Sequence, residues 1–292
     1  LPIGWLVIAI LTASFGMGTA LTTELFLLKK EAFKYGIFQT LSVFLTISSV
    51  IVFVVLLELS WEGRIFSLFL SSLILFLVSI YLGLKAQDIS VLMFKKSIYF
   101  SSIIRLGLPL IPSAIGGWAL AMTDRTLLTA MTSLEVVGIY AVGVMLAQII
   151  DISLSSVFKT FYPYLGRYGK STDIRAQVKL VQGMYVFTIL CMVSLVAMLF
   201  VAPTLVRVMV DVRYHNAINV VGWLSLGYVF INIGHMFTTL LLASDQNTKL
   251  MYISIVTTLV GVGIAYTLIN EYGMVGAAIG TAVTGFFSSF LG

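Results

Sequence analysis

The segment RLGLPLIPSAIGGWALAMTDRTLLTAMTSLEVVGIY (residues 105–140) is apolar enough to lie in a membrane, yet it holds residues that a simple spanning helix does not need. It carries two prolines, Pro109 and Pro112, followed by a Gly-Gly pair and an Asp-Arg pair. Each proline removes an amide donor and disfavours a straight helix at that point. The segment therefore predicts a membrane helix that is not straight near its start.

An Asp-Arg pair lies within this apolar run. Asp124 and Arg125 come well before the run ends, so we expect them to lie below the lipid headgroups. Charge at that depth is costly, and ionisable residues inside spans usually have a function. Both residues are therefore candidate substrate-binding residues. The alternative is a structural role, with each side chain tied to a neighbouring helix.

Small residues recur on the same segment. Ser113, Gly117 and Ala121 follow one another at intervals of four positions. This small-xxx-small pattern predicts a face on which another helix packs closely.

Three motifs of this region carry a family resemblance. GLPLIPSAIGGWALAMTDRTLL (residues 107–128), VGIYAVG (137–143) and FYPYL (161–165) resemble the polysaccharide flippases of the multidrug/oligosaccharidyl-lipid/polysaccharide exporter superfamily. These are the bacterial transporters of O-antigen and capsule repeat units. The resemblance extends more loosely over the whole chain. It implies two six-helix lobes that face a central cavity and flip isoprenoid-diphosphate-linked oligosaccharides by alternating access.

Composition gives the class of protein independently. Hydrophobic residues make up 60% of the chain and charged residues only 10%, and the mean hydropathy is +1.08. These values are typical of an all-α, multi-pass membrane protein. Most of the apolar segments reach the roughly 20 residues that a spanning helix needs, and lipid favours helices over open strands. Nine transmembrane helices are predicted near residues 3–28, 36–57, 65–84, 98–131, 138–161, 180–203, 217–243, 250–269 and 274–292.

Positive charge alternates between the connections. Thirteen of the 17 lysines and arginines fall in or beside alternate connections, and four in or near the other set. By the positive-inside rule the first set is cytoplasmic, so the first segment runs from outside to inside. The densest cluster lies between Lys159 and Lys179, which we expect to face the cytoplasm.

A weak internal repeat suggests how the chain is organised. Thr22-Thr23 matches Thr238-Thr239, and Glu58-Leu-Ser-Trp-Glu-Gly63 resembles Glu271-Tyr-Gly-Met-Val-Gly276. Six segments separate the copies, so both have the same orientation, as in parallel repeats. We therefore assign residues 1–97 to the last three helices of an N-terminal lobe and residues 98–292 to a C-terminal six-helix lobe. About three helices of the first lobe would then lie outside this sequence.

The fifth segment carries a polar stripe. Tyr140, Gln148, Asp151 and Ser155 fall on or near one helical face. Asp151 lies about 13 residues from the outer end, hence about 20 Å deep, near the middle of the bilayer. A carboxyl there could carry a coupling proton, or hold sodium together with Gln148. The alternative is a salt bridge, for example to Arg125 or Lys159.

The seventh segment repeats the pattern with Tyr228, Asn232, His235 and Thr239. His235 is a candidate proton carrier and Asn232 a second polar group for ion coupling. The alternative for His235 is a hydrogen-bonded packing residue.

Two basic residues near the inner ends of helices are further substrate candidates. A flippase for an isoprenoid-diphosphate-linked sugar must bind a diphosphate from the cytoplasmic leaflet, and arginine or lysine does this by charge and hydrogen bonding. Arg105 and Lys159 are placed for it. The alternative is anchoring at the membrane interface.

The motifs that are missing from the sequence exclude several classes. The sequence contains no GxxxxGK[ST] loop, no HExxH and no GxSxG, and it has one cysteine and two histidines. We therefore predict no cofactor, no metal site, no nucleic-acid partner and no enzyme activity. The family resemblance implies a transporter of the bacterial inner membrane, whose expected partners are lipid-linked oligosaccharide, membrane lipids, and polysaccharide polymerase and chain-length proteins. A multidrug exporter of the same superfamily is the closer alternative. A membrane polymerase or transferase would need a larger loop than this chain has.

Overall fold

A computed structural model describes residues 3–29, 31–85, 101, 104–168, 173–244 and 246–291, and their regular structure is helical. Eight helices in these ranges are long and apolar enough to cross a membrane. The chain divides into two compact units, Leu1–Ser97 and Ile98–Gly292. The assignment of these units to the ends of two transporter lobes stays a prediction.

The first unit is a three-helix bundle of α1 (Ile3–Leu28), α2 (Ala32–Val50) and α3 (Trp61–Lys85). A π-helical segment, Ile51–Leu56, extends α2. Helix α3 packs on both of the others, partly through aromatic contacts such as Phe15 against Phe76, with ring centroids 5.1 Å apart.

In the described part of the chain, the second unit has five long helices, and the fourth of them, α7, packs against three of the others. Its helices are α4 (Leu110–Met131), α5 (Leu134–Tyr168), α6 (Ile174–Met209), α7 (Ile218–Ala243) and α8 (Asn247–Leu291). Helix α7 packs against α8, α5 and α6, and it supplies fully buried residues such as Val220, Val221 and Val229. A short 3-10 helix, Val212–Ala217, precedes α7.

Helix α8 is two antiparallel helices joined at Gly273. Gly273 has φ 56° and ψ −131°, which breaks the helical path. A Cβ at Gly280 would lie 3.4 Å from the Ala265 Cα, and one at Gly261 would lie 2.8 Å from the Thr284 methyl carbon. Later residues of the second half thus meet earlier residues of the first, which defines a helical hairpin. Counting the two halves separately, the described ranges hold the nine membrane segments that the sequence predicted.

The prolines act at the start of α4 as predicted. Leu108 and Pro109 form a turn, Pro109 occupies the N-cap, and Pro112 falls in the first turn of the new helix. A proline is tolerated there because the first amides of a helix have no intrahelical acceptor. The apolar run from residue 104 to 131 is therefore interrupted rather than straight.

The two matched sequence motifs each contain a residue with positive φ. Glu58 and Gly273 are the two described residues of this kind, with φ of 51° and 56°. They occupy different positions of the match, because Glu58 corresponds to Glu271 and not to Gly273. A Cβ at Gly63 would lie 2.8 Å from the Phe53 carbonyl oxygen, and a Cβ at Gly276 would overlap the Leu268 carbonyl. The internal repeat stays a prediction.

Local hydrogen bonds fix the connection between α6 and the 3-10 helix. One Asp211 carboxylate oxygen accepts from the Arg213 backbone N–H at 3.0 Å and from Arg213 Nε at 3.2 Å. These bonds lower the pKa of the Asp211 carboxyl below its usual range.

The predicted orientation can be tested by cysteine labelling. In a Cys191→Ser background, an impermeant maleimide added to intact cells should label Ser133→Cys, in the connection between α4 and α5, but not Ser171→Cys. Cys191 is the one cysteine of the sequence, so in the Cys191→Ser background the introduced cysteine is the one thiol that can react. Ser171 belongs to the basic connection and lies outside the described residues. The opposite labelling pattern would reverse the predicted orientation of every helix.

Candidate functional site

A cavity of about 710 Å³ lies within the second unit, between α4, α5, α7 and both halves of α8. Its wall is apolar for the most part but also carries hydroxyl groups, one amide and charged side chains. They include Ser113, Asp124, Arg125, Tyr140, Gln148, Tyr228, His235, Thr257, Thr258 and Thr281. Polar and charged groups are costly in a membrane-spanning bundle, which makes this cavity the candidate site.

Asp124 joins three helices. The Tyr140 hydroxyl of α5 donates to Asp124 Oδ2 at 2.8 Å, and the Thr281 hydroxyl of α8 donates to the same oxygen at 2.7 Å. Within the described ranges the carboxyl forms no ion pair. The contacts agree with the structural alternative for Asp124, although the residue also lines the cavity.

The two hydroxyls make Asp124 testable by a pair of variants. Asp124→Ala leaves the Tyr140 hydroxyl without its acceptor, and the Thr281 hydroxyl keeps only the Ala277 carbonyl oxygen at 3.2 Å. We expect it to destabilise the unit by about 2 kcal/mol. Asp124→Asn keeps an acceptor oxygen and should cost less. The measurement is the fraction of protein that stays monodisperse in detergent after a heating series. Equal stability of Asp124→Ala and the wild type would show that these bonds do not hold the helices together.

Arg125 is placed differently from its neighbour. Its side chain is exposed and lines the cavity. Its guanidinium has no hydrogen bond or ion pair with any residue that the structure describes. Among the described residues, therefore, no bond of the side chain ties Arg125 to a neighbouring helix, as the structural alternative requires. The guanidinium is open to an anion in the cavity.

Asp151 is paired with an amide. Asn232 Nδ2 donates to Asp151 Oδ1 at 2.8 Å and to the Tyr228 carbonyl oxygen at 2.9 Å. The alternative of a salt bridge to Arg125 or Lys159 is wrong for the described residues, because the partner of Asp151 comes from α7 instead. The polar stripes of the fifth and seventh segments thus meet at Asp151 and Asn232.

Asn232 retains an unused acceptor. The side chain is fully buried, and its Oδ1 has no hydrogen-bond partner in the structure as described. The orientation of the amide follows from its neighbours, because Nδ2 faces two oxygen acceptors. The unpaired Oδ1 therefore remains available as an acceptor for a donor such as a water molecule.

The remaining ion-coupling candidates, Gln148 and His235, line the cavity. The His235 ring centroid lies 6.4 Å from that of Phe158. Ser155, from the same polar stripe as Gln148, does not line the cavity, and its hydroxyl donates to the Ile152 carbonyl oxygen of its own helix at 3.1 Å.

Arg105 and Lys159 lie apart from the cavity. Both side chains are exposed and neither lines the cavity wall. The residue after Arg105 has a structural contact, since the Leu106 carbonyl oxygen accepts from Asn247 Nδ2 at 2.9 Å and links the segment before α4 to the start of α8. Of the four predicted substrate residues, Asp124 and Arg125 thus lie together in the cavity, and Arg105 and Lys159 lie outside it.

The small-residue face of α4 is shifted by one position from the prediction. A Cβ at Gly116 would lie 2.5 Å from the Thr258 hydroxyl oxygen, so this glycine allows α8 to approach. Gly117 has nothing within 4 Å of such an atom and lines the cavity with Ser113 and Ala121. Successive helical residues are about 100° apart, so neighbouring glycines serve different faces.

The fold is that of the MATE transporters. The chain is similar to a MATE transporter solved in complex with MaL6 (TM-score 0.79, 16% identity, 99% of this chain and 67% of that chain covered). It is similar to a mutant of the Vibrio cholerae MATE transporter VcmN (TM-score 0.77, 14% identity, 97% and 66% covered). It also matches a multidrug resistance MATE family transporter of the MOP superfamily in an outward-facing conformation (TM-score 0.73, 16% identity, 94% and 64% covered).

The family of the protein follows from a match of its sequence to a family model. The model of the polysaccharide biosynthesis protein family matches residues 3–169, more than half of the chain, and the protein belongs to this family. No curated protein matches the chain. The chain spans about two thirds of the length of the transporters it resembles. The family resemblance and the all-α, multi-pass membrane fold predicted from the sequence are confirmed.

Proposed function

We propose that the protein carries lipid-linked oligosaccharides across the bacterial cytoplasmic membrane during polysaccharide synthesis. The substrates would be isoprenoid-diphosphate-linked repeat units of an O-antigen or capsule, moved by alternating access of two lobes. Membership of the polysaccharide biosynthesis family and the MATE fold support this proposal. Polysaccharide polymerase and chain-length proteins would take up the units on the outer side.

The open guanidinium of Arg125 is the observation that carries the proposal. An arginine binds phosphate oxygens by charge and by paired N–H donors, and a guanidinium without a protein partner is free to do so. The hydroxyl-rich wall around it supplies donors and acceptors for a sugar or for the water that surrounds one. Asp124 would then orient this wall through Tyr140 and Thr281.

Ion coupling is assigned to the Asp151–Asn232 pair. Both residues lie in membrane-spanning helices, and Asp151 has an amide rather than a cation as its partner. A carboxylate in a bilayer needs a proton, a metal ion or a basic side chain to neutralise it. A proton or sodium ion bound there, with Gln148 and His235 nearby on the cavity wall, would link transport to an ion gradient.

Arginine variants test the substrate assignment. We expect Arg125→Ala in the full-length protein to lower flipping of a polyprenyl-diphosphate oligosaccharide in vesicles about tenfold, since one charged hydrogen-bond partner is lost. Arg125→Lys should be less damaging if charge alone holds the anion. Equal damage would point to a bidentate contact that only guanidinium makes. The same two substitutions at Arg105 test a predicted substrate residue that lies outside the cavity.

The matched control is Arg64→Ala, an exposed arginine of the first unit in a connection predicted to lie outside. It should transport at the wild-type rate. Normal flipping by both Arg125→Ala and Arg105→Ala, at normal protein levels, would remove these residues from substrate handling. The alternative of a multidrug exporter, a function carried by one transporter of this fold, predicts instead that deletion raises drug susceptibility and leaves surface polysaccharide unchanged.

A further inference from the structure

A second cavity, the α5–α6 groove, lies on another side of the second unit. Its volume is about 280 Å³, and it is formed by α5, the start of α6 and one residue of α7. Three phenylalanines, two leucines, two methionines and Gly183 line it, and Lys179 is its one charged lining residue. None of these residues lines the polar cavity.

Helix geometry makes the groove elongated. Lys179, Gly183 and Phe187 follow one another at intervals of four on α6 and therefore lie on one face, over about 12 Å. Phe158 and Phe161 of α5 pack against Phe187, with ring centroids 5.6 and 6.3 Å from that of Phe187, and close the groove at the end away from Lys179. The groove is thus a channel along the helix axis, with a charge at one end and packed aromatic rings at the other.

Gly183 keeps this channel open. A Cβ at this position would meet only the Phe161 ring, at 3.8 Å, which is ordinary van der Waals contact. The glycine is therefore not required for close helix packing. Its effect is to leave space where a larger side chain would fill the groove.

The chemistry of the groove fits an anionic lipid. Lys179 is exposed and makes no hydrogen bond or ion pair with a described residue. It lies near the start of α6, at the end that the charge distribution predicts to be cytoplasmic. An apolar channel ending in a free ammonium group at the membrane surface matches a hydrocarbon chain that ends in phosphate.

We propose that the α5–α6 groove is where the substrate lipid first binds, with its polyprenyl chain in the groove and its phosphates on Lys179 before they pass to Arg125; this rests on the proposed function. Phenylalanine edges and the flexible Met184 and Met236 adapt to a methyl-branched chain better than a rigid aliphatic wall does. The groove and the polar cavity lie on two sides of α7. Met236 lines the groove and its neighbour His235 lines the cavity, so one turn of α7 is the wall between them.

Photo-crosslinking tests this site. The probe is a polyprenyl diphosphate with a diazirine in its first isoprene units, added to the full-length protein in phosphatidylcholine vesicles, with labelled peptides identified by mass spectrometry. We expect labelling of α5 and α6 at the groove. Gly183→Leu fills the channel and should lower this labelling about tenfold through lost chain contacts. Lys179→Gln removes one surface charge and should lower it about fivefold.

The chain offers a control for each variant. Gly263→Leu adds the same side chain at an exposed glycine of α8 with open space around it, and Lys249→Gln removes another exposed lysine at the predicted cytoplasmic side. Both should label like the wild type. Lys179 is exposed, so its variant reports binding even if Gly183→Leu does not fold.

Competition and transport separate the outcomes. Equal displacement of the probe by phosphatidylglycerol would mean a general anionic-lipid site and would overturn the proposal. Unchanged groove labelling in both variants, or labelling elsewhere in the wild type, would also overturn the proposed groove site. In either case, normal flipping by the wild-type protein would leave the proposed function standing. A wild-type protein that neither binds the probe nor flips the lipid-linked sugar would refute both.

Discussion

An Asp151→Asn variant is expected to reach the membrane in normal amounts and to lose gradient-driven transport. The substitution keeps an oxygen that can accept from Asn232 Nδ2, so the α5–α7 contact survives. It removes the group that a proton or sodium ion would neutralise. Because Asp151 has no cationic partner among the described residues, its neutralisation leaves no buried cation unpaired. Transport driven by an ion gradient should fall about tenfold or more, as for a typical coupling free energy.

The measurement compares flipping in vesicles with and without an imposed proton or sodium gradient. Wild-type rates should rise with the gradient that couples, whereas the variant should show one low rate in both conditions and still bind substrate. Asp124→Asn is the matched control, since it neutralises the other carboxyl of the site and keeps its hydroxyl contacts. A variant of Asp151 that is abundant and fully active in either condition would remove this residue from the mechanism.

Gly276→Ala is expected to disrupt the hairpin of α8. The added methyl group would overlap the Leu268 carbonyl, which is backbone and cannot rotate away. The two halves of α8 must then separate, and these halves provide the buried residues Ala277 and Ala278 of the core. Overpacking of this kind costs about 3 kcal/mol, and more where backbone has to move. The fraction of folded protein after heating in detergent should fall sharply relative to the wild type.

The control for this variant is Gly263→Ala in the same helix. That position has nothing within 4 Å of an added Cβ, and alanine favours the helix by up to about 1 kcal/mol. It should therefore be neutral or slightly stabilising. If the two variants have the same thermal stability, the hairpin does not depend on close approach at Gly276.

The fold was largely predictable from the sequence because lipid restricts the choice of structure. Continuous apolar segments in a membrane must be helical, and the prolines mark the interruption before α4. In the sequence the turn at Gly273 appeared as a gap between two apolar segments and as part of the motif Glu271–Gly276, neither of which shows where the chain reverses. The change of direction takes place at Gly273 itself, since helical backbone continues on both sides of it.

The site was predictable one helix at a time. Periodicity places Asp151 and Asn232 on polar faces, and those faces meet. The contact of Thr281 with Asp124 could not be found in this way, because Thr281 is one of many hydroxyl residues in apolar segments and lies far along the chain. The α5–α6 groove was equally hidden, since its lining residues look like ordinary lipid-facing or core positions in the sequence.

The turns at Glu58 and Gly273 also differ in the side chains that they tolerate. Glu58 has φ 51° and carries a Cβ in that conformation, at a cost of about 1 kcal/mol. Gly273 combines φ 56° with ψ −131°, a region that residues with a Cβ hardly enter. The hairpin of α8 therefore admits no side chain at the residue where it reverses direction, whereas the connection before α3 accommodates one.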